Sequence, residues 1–215
     1  RAQRENVEQP AALARLCFSR GARFVYFSTS YVFDGSAGPY GEGDTPGPIN
    51  VYGRSKLMGE QAVLEAAGAL ALVPRIICVW GREPQRKNFV YQVIEAIKGG
   101  KSMRIPSDQC GNPTWAGDIA AWLLDLLQAN ESGVWNLAGD HSGWNRQRWL
   151  DAIVDGLRRH GVLSRELEQW TYTAIATELL AQPARRPLQA GLRVDRIRQR
   201  FPRRTREPDD IKVLL

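Results

Sequence analysis

Tyr52 and Lys56, in the stretch "PINVYGRSK", are the one tyrosine in this chain with a lysine four residues further on. On a helix two such positions lie on one face, so the ammonium can sit near the phenol. A free phenol titrates near pH 10, and a neighbouring cation favours the phenolate. That would draw the hydroxyl toward the range in which a proton donor is most effective. A third group must polarise the reacting oxygen. Ser28 and Thr29 close the apolar run "ARFVYFSTS", a strand whose carboxyl end is where ligands bind in parallel sheets. The same Tyr-x-x-x-Lys spacing also arises by chance on a solvated helix, and the order of the surrounding elements argues against chance. The pair follows a strand ending in Ser-Thr and precedes another strand.

The elements needed to position these groups are legible along the chain. "NVEQPAALARLCFSRG" carries Val7, Leu13, Leu16 and Cys17 at helical spacing and stops at Gly21. Residues Gly35 to Pro48 are rich in glycine and proline and predict a long loop. Asn50 is a cap for a helix from Val51 to about Ala67, and "ALALVPRIICVWG" is the next strand. Further on, "NFVYQVIEAIKGG" places Val90, Val93, Ile94 and Ile97 on one helical face, and "SMRIP" is a short strand. "TWAGDIAAWLLDLLQ" predicts a helix capped by Thr114, with Ile119, Leu123, Leu126 and Leu127 as its apolar stripe. "GVWNLAG" predicts a strand and "NRQRWLDAIVDGLRR" a helix that buries Trp149, Ile153 and Leu157. From Glu166 the chain is expected to be helical and then rich in proline and arginine. This alternation predicts an α/β fold with a parallel sheet.

The chain has 215 residues, of which 43% are hydrophobic and 24% charged, the composition of a globular protein with a sizeable core. No apolar run is long enough to cross a bilayer, and no membrane association is expected. Cys17, Cys78 and Cys110 are odd in number and far apart. They indicate neither disulfides nor a metal site, and a reducing cytoplasm is the expected compartment. The net charge is +6, and nine arginines fall between Arg185 and Arg206 against one acid, Asp195. Phe201 is the one aromatic residue among them, so a stacking platform for bases is missing and no nucleic-acid partner is expected. Arg185 and Arg186 are instead expected to reach a diphosphate through their forked donors.

"STSYVFDG" followed by "GPYGEGDTPGPINVYGRSK" resembles the extended short-chain dehydrogenase/reductases, most closely the dTDP-4-dehydrorhamnose reductase group. The likeness continues through "PRIICVWG", "DQCGNPTWAGDIA", "WNLAG" and "ARRP". It implies a Rossmann-like, doubly wound parallel sheet with a smaller C-terminal substrate lobe. Residues 1–82 and 113–138 are expected in the sheet domain, and 83–112 and 139–215 in the lobe. It implies NADP or NAD as cofactor and a nucleotide sugar as substrate, in the chemistry of dTDP-rhamnose biosynthesis. Tyr52 would donate a proton to a 4-keto group, Lys56 would hold the nicotinamide ribose and lower the Tyr52 pKa, and Thr29 would bond the carbonyl. Asn6, Ser28, Tyr52, Lys56 and Arg75 are the expected cofactor residues, and Tyr31, Gln109 and Arg186 the expected substrate residues. A homodimer is entertained as the assembly.

Two departures from the group's pattern matter. The strand and glycine-rich turn that approach a cofactor pyrophosphate have no counterpart here, because Gly38, Gly41 and Gly43 lie in a proline-rich loop. The expectation is a fragment lacking the first strands, inactive alone, or a chain that has lost cofactor binding. Ser30 also replaces the aspartate of the reductases. That keeps a sugar-nucleotide epimerase, or a binding subunit that retains the fold without turnover, as alternatives.

Overall fold

The structure, a computed structural model, describes residues 1–214. Its elements in chain order begin with α1 (Gln9–Ser19), β1 (Phe24–Val25), β2 (Ser28–Thr29), α2 (Val51–Ala67), β3 (Ala71–Ile76) and β4 (Val79–Trp80). Then come α3 (Phe89–Lys98), β5 (Met103–Pro106), β6 (Cys110–Gly111), β7 (Thr114–Trp115), α4 (Ala116–Gln128) and β8 (Gly133–Asn136). The chain closes with β9 (Trp144–Asn145), α5 (Arg146–Arg159), α6 (Ser164–Gln169), β10 (Tyr172–Ile175) and α7 (Asp195–Arg200).

β3 is the middle of the main sheet. β1 and β2 run parallel along one edge of it, Phe24 opposite Ala71 and Thr29 opposite Ile76, and β8 runs parallel along the other. Side chains alternate across a strand, so β3 serves two cores. Ala71 and Val73 pack with Ala14 of α1 and Val63 and Ala67 of α2. Leu72, pointing the other way, packs with Ile119, Trp122 and Leu126 of α4 and Ile197 of α7. Helices therefore cover both faces, the arrangement a parallel sheet requires. A separate core joins α3, α5, α6 and β5 around Trp149, Ile153 and Leu157.

Several expectations are corrected. Val7, in the turn before α1, is buried as expected, but Leu13 and Leu16 of α1 are half exposed and that helix buries Ala11 and Ala14 instead. Thr114 does not cap α4. It is fully buried in β7, where its hydroxyl donates to the Asn112 carbonyl and accepts from the Gly139 amide. The region after Glu166 holds a strand, β10, paired in parallel with β5. On the sheet's α4 side, Ile197 of α7 and Phe201 pack with Trp122 and Trp135.

The arginine-rich tail is a strap. Arg193 pairs with Asp44, Arg198 with Asp140, Arg200 with Glu131 and Arg203 with Asp125. Arg196 lies 3.6 Å from the centroid of Trp135. Each exposed pair contributes at most about 1 kcal/mol, but in series they hold the tail against α4, β8 and the proline-rich loop. Their charge is engaged within the molecule. No helix is long and apolar enough to cross a membrane among the described residues.

Candidate active site

The main sheet delivers Ser28 and Thr29 at the carboxyl end of β2, and α2 starts beside them. Asn50 caps that helix, its side-chain oxygen accepting from the Gly53 amide at 2.8 Å while its side-chain nitrogen donates to the Arg185 carbonyl at 2.9 Å. One residue thus fixes the helix start and brings the Arg185–Arg186 segment alongside. Gly53 allows the close approach, since a Cβ there would sit 2.1 Å from the Tyr31 carbonyl oxygen. Tyr52, one residue earlier, meets Tyr31 edge to face at 6.0 Å.

A cavity of about 400 Å³ opens at this sheet edge. Its walls include Ser28, Thr29, Tyr31, Tyr52, Gln109 and Arg186, six of the residues singled out from sequence. Ser28 and Ser30, also in its lining, are buried, and their hydroxyls have no hydrogen-bond partner among the described residues. Arg186 donates to the Tyr31 hydroxyl at 3.3 Å. Gln109 donates to Thr177 at 2.9 Å and to Gln182 at 3.3 Å, so its amide is already engaged by residues outside this cavity's lining.

The electrostatics differ from the expectation in one respect. Partial burial pushes the Tyr52 phenol above its ordinary value, a hydrogen bond with Thr29 draws it down, and Tyr31 adds to the rise. Lys56 is not among the groups that govern it. Its ammonium lies 3.9 Å over the ring of Tyr26, and burial lowers its own pKa while Glu60 opposes that shift. At neutral pH Tyr52 is a protonated phenol at a cavity wall that Thr29 also lines, the state a proton donor needs.

Asn6 and Arg75 lie off the cavity. Asn6 sits in the wide turn before α1 and donates to the Ser55 hydroxyl at 2.9 Å, which in turn donates to the Tyr52 carbonyl at 2.8 Å. It supports the helix under the tyrosine. Tyr26 donates to the Asn6 carbonyl at 2.8 Å. Gly59 leaves room for both, because a Cβ there would come within 2.1 Å of that carbonyl and 2.2 Å of the phenol. Arg75, expected at the cofactor, is 4% exposed and forks onto Glu60 at 2.9 and 2.7 Å. Its charge belongs to an internal pair. Sequence reasoning missed Cys78, Trp144, Arg146 and Trp149 on the cavity wall. Arg146 follows the cap Asn145 and Cys78 takes a left-handed backbone, φ 48°, between β3 and β4. Neither carries a local sequence signal.

The proton on Tyr26 makes a testable contribution to stability. Burial first, with Glu60 and Tyr52 adding to it, pushes this phenol well above its usual value. The folded form keeps a proton that the unfolded chain releases above about pH 10. The associated stability is complete below that pH and declines as the pH climbs past it. Urea denaturation at increasing pH should show the decline, and Tyr26→Phe, which keeps the ring beneath Lys56, should flatten it. An unaltered slope in the variant would contradict the assignment.

The family described as the RmlD substrate binding domain matches residues 1–209. The chain belongs to that family. Relatives of this RmlD-type chain include the dTDP-4-dehydrorhamnose reductase of Burkholderia thailandensis, 33% identical over 208 residues, covering 91% of this chain and 67% of the relative. The dTDP-4-keto-6-deoxy-D-glucose reductase of Streptomyces niveus is 38% identical over 125 residues, 58% of this chain and 43% of that one. In fold, the dTDP-4-dehydrorhamnose reductase of Bacillus anthracis, solved in complex with NADP, superimposes with a TM-score of 0.82 at 24% identity, over 95% of this chain and 69% of that one. The chain thus spans between under half and about two thirds of the length of these proteins.

Proposed function

We propose that the protein reduces the 4-keto group of a 4-keto-6-deoxy sugar nucleotide, with Tyr52 as proton donor and NADP or NAD as cofactor. The observation that carries this reading is that Thr29 and Tyr52, on different elements, both line one cavity at the carboxyl edge of a parallel sheet. A ketone oxygen placed between them would accept from both hydroxyls, and the developing alkoxide would take the tyrosine proton. Reductases among the relatives support the substrate class.

The residues present fit a nicotinamide cofactor in part. Tyr52 and Lys56 lie on one face of α2, and Lys56 is a cation without a carboxylate ion pair among the described residues. When bound, the cofactor supplies the hydride. This chain's own part is to orient the ketone, keep the Tyr52 proton in place and offer Lys56 to the ribose. Within the chain, the sheet side supplies Thr29, Tyr52 and Lys56, and the region around α3, α5 and β5 supplies the wall for the substrate.

The test is to incubate the full-length protein with NADPH and a dTDP-4-keto-6-deoxy sugar, following nicotinamide absorbance and the product by NMR. Stoichiometric oxidation of NADPH with appearance of a 4-hydroxyl is the expected result. An epimerised ketone with no net oxidation of cofactor would defeat the reductase reading.

A further inference from the structure

The cavity that holds Thr29 and Tyr52 adjoins a second one of about 510 Å³, which extends toward Lys87, Asn88 and Arg104. Some residues line both cavities and so form the seam between them. Among these the cations are Arg146 and Arg186. A sugar nucleotide is a linear molecule of sugar, diphosphate and nucleoside. With its ketone at Tyr52 in the first cavity and its nucleoside in the second, its two phosphates fall at the seam.

We propose that Arg146 acts with Arg186 as a clamp on the substrate diphosphate, an inference that rests on the sugar-nucleotide reading above. The Arg146 guanidinium lies 4.9 Å from the ring centroid of Phe89 and 5.0 Å from that of Trp149. Contact with two aromatic faces holds the planar group in place and leaves its N–H edges available for oxygen acceptors. Ordering the side chain before the ligand arrives removes part of the entropy that binding would otherwise cost. The tail arginines at 193, 198, 200, 203 and 206 pair with carboxylates, whereas Arg146 and Arg186 form no such pair among the described residues. Arg146 is also the first residue of α5, a fourteen-residue helix whose amide dipoles add positive potential at this end. The clamp therefore joins two unneutralised cations from segments forty residues apart in sequence, Arg146 at a helix start and Arg186 in the loop tied to Asn50.

Isothermal titration of the protein with thymidine diphosphate and thymidine monophosphate tests the clamp without requiring turnover. The unmutated protein should prefer the diphosphate. In Arg146→Met the diphosphate should weaken roughly tenfold to a hundredfold, the scale of a charge-assisted hydrogen bond, while the monophosphate changes much less. Arg146→Lys keeps the charge without the planar fork and should recover part of the loss. Phe89→Leu, which removes one stacking face and no charge, should show a smaller loss of the same kind. If Arg146→Met and Arg146→Lys both keep the unmutated preference, or if Arg146→Met weakens both ligands equally, the clamp is wrong and the sugar-nucleotide reading stands. If the unmutated protein binds neither ligand, both fall together.

Discussion

Tyr52→Phe should reduce turnover of a 4-keto sugar nucleotide by about a hundredfold to ten-thousandfold, the range that loss of a positioned general acid produces. The variant removes one oxygen. Tyr52 is half exposed and its ring packs edge to face on Tyr31, a contact that phenylalanine keeps. Folding and nucleotide affinity should change little, so the loss should fall on the catalytic constant at saturating substrate. The measurement is steady-state reduction by the protein with its nicotinamide cofactor, beside a thermal melt of both forms. Turnover at the unmutated rate would leave Tyr52 as a wall residue and remove it from the chemistry.

Glu60→Gln should destabilise the fold by about 3–5 kcal/mol, the scale of removing one partner from a buried pair. Arg75 and Glu60 are 4% and 3% exposed in their side chains, and both carboxylate oxygens are engaged by the guanidinium. Glutamine presents one acceptor and loses the charge, which leaves a buried guanidinium uncompensated. Arg75 would retain its long contact with the Glu42 carbonyl at 3.4 Å and its place over the Phe33 ring at 5.1 Å. Replacing both partners with apolar residues, as Glu60→Leu with Arg75→Met, should recover much of the loss, because no orphaned charge remains. Denaturant midpoints of the single and double variants decide the matter. A cost below about 1 kcal/mol for Glu60→Gln would show that water reaches the pair.

The placement of Thr29 at a strand end and of Tyr52 on α2 is legible from local signals. Asn50 caps α2 in the structure as its side chain suggests from sequence, since a cap bonds an amide three residues away and needs nothing distant. The stripe of Val90, Val93, Ile94 and Ile97 is buried for a similar reason, because helical periodicity alone chooses the face. The alternation of strands and helices likewise carried the parallel sheet, and the Ser-Thr ending of a strand carried the cavity edge. Those features depend on neighbours within a turn or two of chain.

Other features depend on groups that only folding brings together. Lys56 is four residues from Tyr52, yet its ammonium rests on Tyr26, thirty residues earlier, where β1 and β2 lie beneath α2. Arg75 looks like a free cation in a strand until Glu60, on the helix above, is brought within hydrogen-bond distance of it. Thr114 has the type and position of a cap, but burial directs its hydroxyl to Asn112 and Gly139. Arg193, Arg198, Arg200 and Arg203 read as part of one cationic tail in the sequence, and in the fold each pairs with an acid brought from elsewhere in the chain. The sequence by itself determined which side chains could donate a proton and on which helix and strand they stand, because helix and strand geometry is set by nearby residues. Tertiary structure decided which charges remain free at the cavity, because neutralisation acts through space between partners whose separation along the chain carries no information.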